Sequence, residues 1–108
     1  MCIRDSKYGV APRPAWIAES YGGARGVRAA SRIVFSNGAL DPWSAGGVRF
    51  NGSDGSDVVA VTVEEGGHHL DLFFANDADP PSVRAVRALE LQYLSKWAAE
   101  EAEARGRR

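Results

Sequence analysis

Two stretches of this chain, Ile33–Val34–Phe35 within SRIVFS (31–36) and VVAVTV (58–63), are apolar on consecutive residues rather than alternate ones. Their β-branched and aromatic side chains favour strands. Strands of this kind must be covered on both faces, as in a parallel sheet with helices on each side. Their edges also need hydrogen-bonding neighbours. The sequence offers two such strands and one substantial helix. One helix cannot cover two faces, and two strands cannot satisfy each other's outer edges. The 108 residues are therefore expected to be part of a larger α/β domain, its carboxyl-terminal piece, because they close with a helix and a polar tail.

That helix is announced by apolar residues at Val83, Val86, Leu89, Tyr93, Leu94 and Trp97, a spacing that lays one stripe along a helical face. Pro80 or Pro81 suits its first turn, and Asp79 or Ser82 suits its cap. It should fade near Ala104, leaving RGRR (105–108) as a frayed tail. Upstream, AWIAESY (15–21) predicts two helical turns stopped by Gly22–Gly23. KYGVAPRP (7–14) reads as loop, GARGVRAAS (23–31) as a connector, and SAGGVRFNGSDGSD (44–57) as mostly loop with room for one helical turn. MCIRDS (1–6) lacks the apolar core of a signal peptide and is taken as a non-native leader, which leaves 7–104 as the domain segment.

A hydrophobic content of 44% with 25% charged residues reads as globular and soluble. A net charge of −1 gives no reason to expect a nucleic acid or an anionic membrane as partner. No apolar run approaches the ~20 residues that span a bilayer. Cys2 is the only cysteine, so no internal disulfide is possible. Asn51–Gly52–Ser53 matches the glycosylation sequon, and an unmodified turn is the alternative reading.

In open α/β sheets, functional groups gather in the loops beyond the carboxyl ends of the strands. Asp41 follows the first strand, and His68 and His69, the only two histidines, follow the second. If the strands are parallel neighbours, both loops leave by the same edge and an Asp and a His can meet there. A serine hydrolase needs such a pair, with the carboxylate fixing the imidazole tautomer while the other ring nitrogen takes the serine proton. The chain order serine, aspartate, histidine of the α/β-hydrolases puts the nucleophile upstream of Asp41. A zinc site is disfavoured, since adjacent histidines rarely point at one ion and no cysteine is near. From chemistry alone, a loop histidine and an Asp-Pro turn remain the plainer readings.

FSNGALDPWSAGGV (35–48) followed by EEGGHHLDL (64–72) resembles the proline-specific serine peptidase family that includes lysosomal Pro-X carboxypeptidase and dipeptidyl peptidase II. YGVAPRPAWI (8–17) and SYGG (20–23) extend the likeness to roughly residues 7–98. The resemblance implies an α/β-hydrolase fold, of which this chain holds the last two parallel strands and the final helix. It implies a serine-type exopeptidase cleaving next to proline, with Asp41 and His68 as triad members, His69 supporting His68, and Trp43 walling the pocket for the substrate proline. Core packing is the alternative for Trp43. No cofactor or metal is implied. The partner is a peptide with proline near one terminus, a homodimer is left open, and the address is lysosomal or secreted. Phe73 departs from the pattern, which places an arginine there to support the second histidine. Ser20, in ESYGG (19–23), mimics a nucleophile phrase but lacks a preceding strand and is rejected, so the nucleophile is expected outside the chain. Another α/β-hydrolase such as an esterase, or an inactive relative used for binding, are the alternatives.

Overall fold

The two consecutive-apolar segments form strands because their β-branched residues fit extended backbone. In a computed structural model that describes residues 3–107, β1 (Ile33–Gly38) and β2 (Val58–Val63) pair in parallel. The register runs from Ile33 opposite Val58 to Gly38 opposite Val63. A parallel neighbour needs a crossover of a dozen or more residues. Residues 39–57 supply it without an α-helix, using one 3₁₀ turn at Pro42–Gly46.

Before the sheet lie α1 (Ile3–Tyr8), α2 (Trp16–Tyr21) and α3 (Gly23–Arg28). Gly22 closes α2 in the left-handed conformation (φ 77°), as the Gly-Gly pair predicts. Two expectations are corrected here. The connector at 23–31 contains α3, whose Gly23 start restarts the helix after the turn. Lys7–Tyr8 of the expected loop belong to α1, which begins at Ile3. Met1 and Cys2 of the expected leader lie outside the described residues, as does Arg108 of the tail.

After β2, a second 3₁₀ turn (Leu70–Leu72) leads to α4 (Pro81–Gly106). This helix runs back along the strands. Its start packs near their carboxyl ends, while Lys96 reaches Asp57 at 3.0 Å and Arg32 reaches Glu101 at 3.2 Å near their amino ends. Val83 and Val86 meet Val63 in the core, with Val61 and Leu70 packed against them. Trp97 is buried too, but Leu94 of the predicted stripe is 57% exposed. Neither Asp79 nor Ser82 caps α4. The first-turn N–H groups of Val83 and Arg84 both donate to the Pro80 carbonyl, and the two side chains are engaged elsewhere. The helix continues through Gly106, two residues beyond Ala104, where i, i+4 pairs such as Arg105–Glu101 extend it.

A single helix leaves the other surfaces open. Ile33, Val34, Leu72, Leu94 and Trp97 help to line a groove of about 340 Å³ between β1 and α4. The radius of gyration is 18.1 Å, against about 13 Å for a compact domain of this length. No helix among the described residues is long and apolar enough to cross a membrane.

Candidate active site

The parallel pairing puts the carboxyl ends of both strands at one edge. The loops that follow are sewn together there by backbone bonds, Ala39 N to Val63 O at 2.9 Å and Leu40 N to Gly66 O at 3.0 Å. Gly38 is required at this crossing. A Cβ on it would run into the carbonyl oxygens of Gly66 and Gly67. Asn37 donates its side-chain amide to Val48 O at 2.8 Å, and Arg49 donates to both the carbonyl and the hydroxyl of Ser44. These bonds fix the turn at Pro42–Gly46.

Asp41 caps that turn. Its Oδ1 accepts from the Trp43 N–H at 2.9 Å. Its Oδ2 lies 2.7 Å from His68 Nδ1, across 27 positions of sequence. The Asp41 side chain is 10% exposed and that of His68 is 53% exposed, so the carboxylate sits beneath the ring and the ring faces solvent. The His68 hydrogen bond holds the Asp41 carboxyl below the ordinary carboxylate range, opposed by burial and aided by the Trp43 N–H. An ionised Asp41 can only accept, so Nδ1 is the donor, and in a neutral ring Nε2 is then the acceptor. The arrangement can therefore remove a proton from a group placed over the ring and return it.

The other sequence-derived positions fall around this pair. His69 does not reach Asp41. It adopts φ 57°, a left-handed conformation uncommon outside glycine, and its ring tilts against that of His68 with centroids 3.8 Å apart. Trp43 is 78% exposed beside Asp41 and takes no part in the core formed by this chain. Phe73 is exposed and contributes only its carbonyl to the loop. Ser20 lies within α2, with no strand before it among the described residues. Among the described residues, no group of three or more His, Cys, Asp or Glu side chains converges as metal ligands would.

Two groups were missed by sequence reasoning. Asp71, buried next to the His pair, accepts the Ser36 hydroxyl at 2.6 Å and so ties this loop to β1. Arg87 of α4 reaches the same loop through its backbone carbonyls. For Arg87 the available signal was placement, four positions from Val83 and on the flank of the buried stripe, as Glu90 lies four from Val86. Burial raises the Glu90 carboxyl above the usual range; the Ser36 hydroxyl opposes this and Asp71 adds to it.

The family model for Serine carboxypeptidase S28 matches residues 4–90. Lysosomal Pro-X carboxypeptidase of Homo sapiens is 50% identical over 91 residues, which cover 84% of this chain and 18% of that protein. The Bos taurus protein of the same name is 44% identical over 94 residues, 87% of this chain and 18% of the relative. Prolyl carboxy peptidase like protein 5 of Caenorhabditis elegans is 45% identical over 80 residues, 74% of this chain and 16% of the relative. The chain thus spans under a fifth of the length of these relatives.

Proposed function

The chain belongs to the serine carboxypeptidase S28 family, and from that premise we propose that it supplies the acid–base half of a serine-type exopeptidase that cleaves peptides next to proline. The observation that carries this reading is the 2.7 Å contact between His68 Nδ1 and Asp41 Oδ2, made by two loops at the carboxyl edge of a parallel sheet. Asp41 holds the imidazole in one tautomer. His68 Nε2 takes the proton of a serine hydroxyl as the acyl-enzyme forms and gives it to the leaving amine. Trp43 offers a flat, solvent-facing indole beside the pair for a rigid proline ring. His69 backs His68 through ring contact.

The serine, its oxyanion hole and the rest of an α/β-hydrolase sheet belong, in this reading, to a longer polypeptide. The open groove between β1 and α4, the two-stranded sheet and the extended outline all support it. The relatives' names favour a carboxypeptidase over a dipeptidyl peptidase, and a lysosomal address.

Asp41→Asn in the complete enzyme should lower turnover of a prolyl peptide by a factor on the order of 10⁴. A loss below about tenfold would remove Asp41 from the triad. A fluorophosphonate should label the complete enzyme and leave this 108-residue chain unlabelled. Labelling of the chain at Ser20 would overturn the assignment of the nucleophile to another segment. Faster turnover of short acyl esters than of prolyl peptides would redirect the reading to an esterase.

A further inference from the structure

The half-exposed His68 ring bonds Asp41 and lies against the His69 ring, and its direction depends on the backbone of its loop. Before His68, that backbone is fixed where residues 38–40 cross residues 63–66. After it, the chain passes through His69 in its left-handed conformation, which persists only where neighbouring structure enforces it.

The Leu72 N–H closes a turn onto the His69 carbonyl at 3.1 Å, and the carbonyls that follow are gathered by one side chain. Arg87 Nε donates to the Asp71 carbonyl at 2.7 Å, and one terminal nitrogen donates to the Leu70 and Phe73 carbonyls at 2.9 and 3.0 Å. The other terminal nitrogen pairs with the Asp79 carboxylate, which also accepts from the Asn76 N–H at 2.8 Å. The guanidinium, with its side chain 17% exposed, thus gathers the segment from Leu70 to Asp79 around itself. It sits one residue beyond Val86, which packs against β2. The Ser36–Asp71 bond pins the same segment to β1, the strand that leads to Asp41. Arg87 thereby references the His68 loop to the same framework that positions Asp41.

We propose that Arg87 is the positioning residue for the general base, holding the Leu70–Phe73 backbone so that the His68 ring stays in register with Asp41. The proposal rests on the peptidase reading above and assigns Arg87 no contact with substrate. Only a planar fork can meet three carbonyls and a carboxylate at once, so a lysine cannot replace it.

The test uses the full-length enzyme with Arg87→Lys and Arg87→Met, assayed on a prolyl peptide, with active sites titrated by a fluorophosphonate. The same proteins give the proton NMR spectrum of the His68 Nδ1–H. Both variants should lose about 10²-fold in kcat with KM changed by less than about threefold, and the His68 Nδ1–H resonance should broaden or vanish. Asp79→Asn, which keeps the three carbonyl bonds, should retain both the resonance and most of kcat. Parental kcat and an unchanged resonance in Arg87→Lys would overturn the proposal. So would losses that only follow the folded fraction. If Arg87→Met does not fold, Arg87→Lys, which keeps the charge opposite Asp79, decides. An inactive parent enzyme would sink the peptidase reading, while the His68 resonance would still decide for or against Arg87.

Discussion

The strand-end region around Asp41 and the helices that precede it are built under different numbers of constraints. Asp41 is held by the capped turn, by the strand it follows and by His68, and the loop opposite is held by β1, β2 and α4 at once. In α2 and α3 no residue is buried, and Ile17 and Tyr21 are 60% and 70% exposed. Helices of six residues have little stability alone, because nucleation costs more than so few hydrogen bonds return. Residues 3–28 thus follow local propensity with little to hold them, whereas bonds between distant segments hold two side chains 2.7 Å apart.

The contrast is broken most directly at the crossing. Gly38→Ala puts a Cβ against the Gly66 and Gly67 carbonyls and should cost the complete enzyme about 10²-fold in kcat/KM by parting the loops. Activity within about twofold of the parent would mean that the crossing does not set the pair. Next comes the core beneath the site. Val83 is fully buried against Val63, and Val83→Ala should destabilise the protein by about 2 kcal/mol in chemical denaturation.

A smaller effect follows from Glu90, whose carboxyl burial raises above its ordinary value of 4.5, opposed by Ser36 and reinforced by Asp71. Its contribution to stability is complete below the unfolded-state value and is lost as pH rises through the higher folded-state value. Glu90→Gln should therefore melt about 2 °C above the parent at pH 7 and level with it at pH 4. A variant that gains only at acid pH would reverse the sign. The smallest change is expected in the unconstrained region. Ile17→Ala in this chain should stay within about 0.5 kcal/mol of the parent, and a larger cost would show that α2 is packed against a partner surface.

The types and order of the main elements were legible because they depend on local patterns. VVAVTV forms the strand its β-branched residues favour, Gly22 closes α2, and the stripe from Val83 to Trp97 lies on a helix. The parallel pairing followed from apolarity on both strand faces, and with it the expectation that Asp41 and His68 leave by one edge. Other features were not legible. Asp79 and Ser82 resemble caps in sequence, yet they serve Arg87 and Glu65, contacts made across the loop rather than along the helix. Leu94 fits the stripe but faces an open groove, since periodicity gives direction and not the presence of a neighbour. Asp71 and Arg87 carry no motif-level signal, because their importance lies in which backbone and side-chain atoms they reach.

The sequence by itself determined the strands and the long helix, since each follows from residue chemistry over a few neighbouring positions, and it offered a shared edge for the acidic and imidazole side chains on the condition that the strands pair in parallel. Tertiary structure alone decided that Oδ2 and Nδ1 meet at bonding distance and that a guanidinium from α4 bonds the loop carbonyls. Those outcomes depend on how β1, β2 and α4 pack together. No local pattern encodes a distance between groups that only packing brings near.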